Sequence, residues 1–245
     1  MRLNLKSNKV ISVLGLPHSG TTIACNTFNS MKNGFCLSEP HWILLSNPGQ
    51  LTFDKLIHFK FNGIDDLMSG VKRRVESDSF LFGGVKETYR PQDPKMLKYL
   101  NHVIDNSDII VAVFREPKAL FESFIRLAKS MNRNSYMPVE RLIYDYNHYF
   151  NKIKSLNKPV VKLTLEQFCD AGSSGVLSYI NSRSEAFKAE GNYVVNKTNY
   201  RYGNASANTS ARLKPSNKSF SLLSSDEVKV IDRELKDKYL SIKNK

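Results

Sequence analysis

Apolar residues in this chain follow two alternating patterns. Short runs rich in β-branched side chains are separated by longer segments in which apolar residues return every three or four positions. The runs read as strands over 10–14 (VISVL), 35–37, 80–87 (FLFGGVKE), 108–114 (DIIVAVF) and 159–163 (PVVKL). The run at 108–114 has no polar alternation, which predicts a central strand of a parallel sheet. Gly83-Gly84 predict a break in the run at 80–87. Helical spacing appears over 21–29, 94–104 and 139–153, and within 43–78, where Leu67, Val71 and Val75 share one face. Another helix is expected after Pro117, a favoured first-turn residue, with Leu120, Phe124, Leu127 and Met131 on one stripe. Thr164 with Gln167, and Ser224 with Glu227, have the spacing of capping boxes. The second opens a final helix with Val228, Ile231 and Leu235 inward. Between 182 and 219 the chain turns polar and reads as a loop. Strands alternating with helices predict an α/β fold of three layers: a central, mostly parallel sheet with helices on both faces. No repeat or linker divides the pattern, so residues 1–245 are expected to form a single domain.

Charge narrows the partners. The formal net charge is +13, which favours anions: nucleotides, anionic glycans, nucleic acid or lipid head groups. Lys and Arg are spread over the whole chain and no nucleic-acid motif appears, so nucleic acid is not expected. No apolar run approaches the roughly 18 residues that a membrane helix needs. The start, MRLNLKSNK, has no apolar region of the secretory kind, so neither a signal nor a transmembrane anchor is expected. Cys25, Cys36 and Cys169 are odd in number and lack metal-ligand spacing. They read as reduced thiols, which points to the cytoplasm. No carboxylate cluster has metal-ligand spacing either, so no metal is expected.

Two stretches carry chemistry. After the first strand the chain reads Gly15, Leu16, Pro17, His18, Ser19, Gly20, Thr21, Thr22, and a helix follows. Strand, glycine loop and helix form a cradle for phosphate, because backbone N–H groups converge there and the helix N-terminus adds positive potential. An ordinary strand-to-helix turn has similar residues. A nucleotide triphosphatase would carry Lys at position 21, where this chain has Thr. The loop therefore suits a different phosphate ester. The second stretch places Arg115 and Glu116 at the carboxyl end of the apolar run 108–114, the sheet edge where ligands bind in open α/β folds. Ser123 lies about two turns into the helix that follows. Arg115 and Ser123 can reach one phosphate if that helix runs beside it; a surface arginine and a solvated serine are the plain alternative.

Together these stretches resemble the PAPS-dependent sulfotransferases, a P-loop type of fold. PAPS is 3′-phosphoadenosine 5′-phosphosulfate. Members share a P-[K/R]-S-G-T-T loop for the 5′-phosphosulfate and an R-[D/E]-P-x-x-x-x-x-S segment for the 3′-phosphate. Here these are Pro17-His18-Ser19-Gly20-Thr21-Thr22 and Arg115-Glu116-Pro117 with Ser123. Weaker likenesses are SEPHW (38–42), GGVKE (83–87) and a Gly-Asn…Arg loop containing Gly203, Asn204 and Arg212 that covers the nucleotide in some members. The resemblance implies a sulfuryl transfer from PAPS, with PAP as product, to the hydroxyl or amine of an acceptor: a glycan, a glycolipid or a small alcohol. Glu39 is the expected base and His41 the runner-up. Lys86 either binds sulfate or is solvated, and Glu87 is expected to partner a basic residue. The family usually has Lys or Arg where this chain has His18, which either carries charge as an imidazolium or donates a hydrogen bond. Tyr193, Tyr200 and Tyr202 either stack on a ligand or dock onto the core. Two other classes remain: a nucleotide or small-molecule kinase with a degenerate loop, and a non-catalytic basic module. The kinase lacks Lys at 21 and a metal-binding Asp at a strand's carboxyl end, since Asp108 begins its strand.

Overall fold

The computed structural model of the chain describes residues 8–29, 34–41, 64–77, 80–132, 137–170 and 220–243. Five strands form one sheet: β1 (Lys9–Gly15), β2 (Gly34–Ser38), β3 (Phe82–Thr88), β4 (Ile109–Phe114) and β5 (Val160–Thr164), in the order β2-β3-β1-β4-β5. Every neighbouring pair is parallel. The helices are α1 (Thr21–Asn29), α2 (Ile64–Ser77), α3 (Pro94–Asp105), α4 (Pro117–Ser130), α5 (Val139–Lys154) and α6 (Ser225–Lys243). Residues 165–170 open a further helix.

The sheet has a separate core on each face. On one, Ile23, Ala24 and Phe28 of α1 pack with Ile11, Val13, Cys36 and Val111. On the other, Leu67 of α2, Leu100 of α3, Leu120 of α4, Leu142 of α5 and Leu235 of α6 pack with Leu14, Val85, Ile110 and Phe114. Strands buried on both faces need apolar side chains at every position, and β4 is buried from Ile109 to Phe114, as the unalternated run predicts. Both capping boxes form. Thr164 N–H donates to Gln167 Oε1 (2.8 Å) and Gln167 N–H to Thr164 Oγ1 (3.2 Å). Ser224 and Glu227 exchange the same pair of bonds.

Two expectations need correction. Gly83 and Gly84 do not break β3, which pairs with β1 and β2 straight through them. They are glycines because of close packing: a Cβ at Gly84 would meet the carbonyl oxygen of Ile11 at 2.1 Å, and one at Gly83 the ring of Phe35 at 2.5 Å. The stripe on α4 also fails in its second half. Leu120 is buried, but Leu127 is 42% and Met131 51% exposed, while Phe121, Glu122 and Ile125 are buried instead. The buried residues of α4 end at Ile125, so burial there depends on which turns lie over the core. Periodicity gives only a face. The segment 43–63, with its apolar spacing, lies outside the described residues, as does 182–219.

β1 lies at the centre because the chain departs from it in both directions. β3 pairs on one side of it and β4 on the other. Gly15 is level with Thr88 of β3 and with Val113 of β4, so the carboxyl ends of the three strands form one edge. A parallel sheet opens a crevice at the point where its order reverses in this way.

Candidate active site at the carboxyl edge of the sheet

The loop after β1 occupies that crevice. Ser19 N–H donates to Leu16 O (3.1 Å), and the carbonyl of Gly20 starts α1 by accepting from Ile23 and Ala24. His18 has φ 65° and Gly20 φ 100°, left-handed values that turn the backbone inward. A Cβ at Gly15 would meet Ser19 Oγ at 2.4 Å and Val113 O at 2.8 Å, so the first glycine allows the loop to close over β4. Ser19 is buried and its Oγ has no hydrogen-bond partner. Thr21 is buried; Pro17, His18, Gly20 and Thr22 are half-buried. The first N–H groups of α1 have no carbonyl within the helix to bond. A concave loop with an unpaired buried hydroxyl and a helix N-terminus fits a bound phosphate group.

Arg115 and Ser123 converge on this loop at His18. Arg115 Nη1 donates to the carbonyl of His18 (2.9 Å), and Ser123 Oγ lies 3.2 Å from His18 Nδ1. Arg115 Nε is buried without a hydrogen-bond partner. α4 thus runs beside the loop, the condition for Arg115 and Ser123 to act on one ligand. Phe124 sets its ring edge-on to His18, with centroids 4.7 Å apart. Burial, with the charges of Arg115 and then Arg90, lowers the His18 pKa to about 4. The imidazole is therefore neutral near pH 7 in this state.

Several groups hold this corner. Glu116 caps α4 by accepting from Ala119 N–H (2.7 Å). Glu166 accepts from Glu116 N–H (3.1 Å) and from Tyr239 Oη (2.9 Å), which ties α6 to the corner. From α5, Tyr149 Oη donates to Leu14 O (2.8 Å) and Tyr146 Oη to Arg115 O (3.4 Å). One helix thereby grips the strands that carry the loop and the arginine.

The β2–β3 side of the edge contributes two more pairs. Lys86 Nζ donates to Glu39 Oε1 (2.7 Å) and Glu39 N–H to Lys86 O (2.7 Å). Lys86 is 2% exposed and Glu39 11%, so Lys86 is not a solvated surface lysine. Burial alone would raise the Glu39 pKa. The Lys86 ammonium and its hydrogen bond, with His41 and Arg90, outweigh it and hold the carboxyl below the usual carboxylate range. His41 is buried, its Nδ1 on Glu87 Oε2. Glu87 also accepts from Tyr99 Oη. Glu87 does partner a basic residue, as expected, and the register explains the split: adjacent residues of β3 face opposite sides of the sheet.

No protein-family profile matches the sequence, and no curated protein matches it. Two solved structures that it resembles are sulfotransferases. Mouse sulfotransferase SULT7A1 complexed with PAP superposes with a TM-score of 0.49 at 11% identity, covering 94% of this chain and 83% of that one. The sulfotransferase domain from the curacin biosynthetic pathway gives a TM-score of 0.46 at 16% identity, covering 95% and 98%.

Sequence reasoning missed Arg90. It lies just past the end of β3, as Arg115 lies just past β4, so the same edge rule could have found it. Its charge acts on both His18 and Glu39, which places it electrostatically between the loop and the Lys86 pair. Gly203, Asn204, Arg212, the three loop tyrosines and Trp42 lie outside the described residues. No helix among the described residues is long and apolar enough to cross a membrane.

Proposed function

We propose that the protein is a PAPS-dependent sulfotransferase acting on a hydroxyl-bearing acceptor. One observation carries this reading: Arg115 and Ser123 meet at His18, on a glycine loop whose buried Ser19 hydroxyl is unpaired. A glycine loop alone fits any phosphate ester. A buried guanidinium with an unused Nε, beside that loop and next to a serine, fits a second phosphate on the same ligand.

When bound, PAPS supplies a sulfuryl group whose bond to the bridging phosphate oxygen breaks as a bond to the acceptor oxygen forms, leaving PAP. Ser19, Gly20, Thr21 and Thr22 hold the 5′-phosphate through backbone N–H groups and hydroxyls. Pro17 sets the entry of the loop, and Arg115 and Ser123 hold the 3′-phosphate. Gly203, Asn204 and Arg212 would cover the nucleotide. Glu39 is ionised at neutral pH and takes the acceptor's proton; His41 is the second candidate. Lys86 neutralises Glu39 here, so turning its ammonium toward the departing phosphate would raise the Glu39 pKa and strengthen the base as transfer proceeds. His18 donates a hydrogen bond or, next to an anion, gains a proton.

The kinase reading fares worse on geometry. Asp108 accepts from Val10 N–H (2.8 Å) at the opposite edge of the sheet, far along β4 from the loop. The deciding experiment compares ligands. The protein should bind 3′,5′-bisphosphoadenosine at least about tenfold tighter than 5′-AMP, since a charge-assisted bond contributes roughly 1.5–3 kcal/mol. Arg115→Ala should erase most of that preference and leave 5′-AMP binding nearly unchanged. Equal affinity of the unmodified protein for both ligands, by calorimetry, would reject the proposal.

A further inference from the structure

A cavity of about 310 Å³ opens beside the loop, at the small end of the range for small-molecule sites. Leu16 and Pro17 form its inner wall. Phe124, another wall residue, contacts His18, and Arg90 on its rim acts electrically on both His18 and Glu39. Neither Arg115 nor Ser123 lines it. The cavity therefore borders the loop at His18 without including the side chains assigned to the 3′-phosphate.

Its chemistry is unlike that of the whole chain. Among the described residues its charged lining is Arg90, Arg141, Asp93 and Asp145, so that formal charge cancels in a protein of net charge +13. The carboxylates are already engaged. Arg141 Nε donates to both oxygens of Asp145 (3.1 Å each), and Gln92 donates to the same carboxylate (3.3 Å). Asp93 caps α3 by accepting from Lys95 and Met96 N–H groups. A ligand carboxylate that approached Arg141 would also face Asp145, and an ammonium would meet the reverse. A hydroxyl both donates and accepts, so it can bond to the carboxylate and the guanidinium together. Tyr89, Phe124 and Met137 add apolar surface to the lining.

We propose that this cavity binds the acceptor, and that the acceptor is an uncharged polyhydroxylated molecule with an apolar face, a neutral glycoside rather than an anionic glycan. The proposal rests on the sulfotransferase reading and narrows it. The Arg141–Asp145–Gln92 group sets the selectivity, and Phe124 and Tyr89 receive the apolar face.

The test uses two probes of one shape, 4-nitrophenyl β-glucoside and 4-nitrophenyl β-glucuronide, which differ by a carboxylate. Binding is read by saturation-transfer NMR on the full chain, with PAP titrated separately by calorimetry. The glucoside should bind at least about tenfold tighter. Asp145→Asn, which removes one anion and keeps the side chain's shape, should shrink that ratio at least fivefold; Arg141→Gln should widen it. Circular-dichroism melting confirms that both variants fold. Preference for the glucuronide, a ratio unmoved by Asp145→Asn, or no binding of either probe at millimolar concentration overturns the inference. So does displacement of PAP by the glucoside, which would assign the cavity to the nucleotide. If PAP binds normally while the probes fail, the acceptor inference falls alone; if PAP itself does not bind, the sulfotransferase reading falls and the inference with it.

Discussion

His18 is where residue-level physics departs furthest from what its sequence context implies. A cation at this position would aid a departing phosphate, yet burial, Arg115 and Arg90 hold the imidazole pKa at about 4. Between pH 6.5 and about 4 the unfolded chain binds this proton and the folded one does not. His18 thus contributes stability that is fully present above pH 6.5 and lost as pH falls toward 4. An anionic ligand reverses the sign, because it favours the imidazolium. The affinity for PAP should therefore rise as pH is lowered from 7 to 5, with proton uptake on binding. His18→Asn tolerates the left-handed backbone at φ 65° and cannot titrate, so the pH dependence left in it is that of the ligand's own phosphates, which titrate at about pH 6, and the excess in the unmodified protein belongs to His18. Calorimetry in buffers of different ionisation enthalpy measures both quantities. A profile in the unmodified protein that matches the variant's would leave His18 as a hydrogen-bond donor only.

At the scale of elements, α5 matters more than its sequence suggests. Its apolar periodicity predicts a helix over 139–153, and the helix forms as Val139–Lys154. The pattern does not reveal that its buried tyrosines reach strand ends. Tyr149 bonds β1, the strand that leads into the loop, through Leu14, and Tyr146 bonds Arg115. Periodicity reports a buried face; the destination of a hydroxyl depends on tertiary position. The same limit explains β3. Two glycines look like a break until the close approach of Ile11 and Phe35 is known. Capping boxes, by contrast, were fully legible, because both partners lie within one helical turn. Tyr149→Phe removes a buried bond to Leu14 O and should cost about 0.5–1.5 kcal/mol in urea unfolding. It should also weaken PAP binding, since the loop starts at the next residue. Tyr146→Phe, whose bond to Arg115 O is longer at 3.4 Å, should show the smaller effect on both. The reverse ranking would mean that α5 stabilises the sheet by packing alone.

For the whole molecule, the parallel strands were readable from hydrophobic runs, and the loop and Arg115 fall at the sheet edge that such runs predict; the strand order was not readable, since the strand before Glu39 was expected beside β1 and instead lies beside β3. Arg115 was legible because it follows an unalternated strand directly. The Glu39–Lys86 pair was only half legible, since it depends on β2 lying next to β3 in a register that sets Ser38 beside Lys86. The cavity proposed for the acceptor was not legible, because Arg90, Gln92, Phe124 and Arg141 come from separate parts of the chain and carry no shared motif. A site assembled from β1, β2, β3 and β4 together should link ligand binding to global stability. A ligand that binds only the folded chain, present at 100 times its dissociation constant, stabilises by about 2.7 kcal/mol. For a chain of this size, 1 kcal/mol moves the melting midpoint by about 2–4 °C, so saturating PAP should raise it by roughly 5–11 °C. The rise should be nearly lost in Arg115→Ala and unaffected by chelators. Magnesium ATP, which lacks the 3′-phosphate, should produce a much smaller shift at equal concentration. A kinase would respond most strongly to magnesium ATP, and a general basic surface would respond to any polyanion and lose the effect in salt. Differential scanning fluorimetry with these ligands, with and without added salt, separates the three cases in one plate.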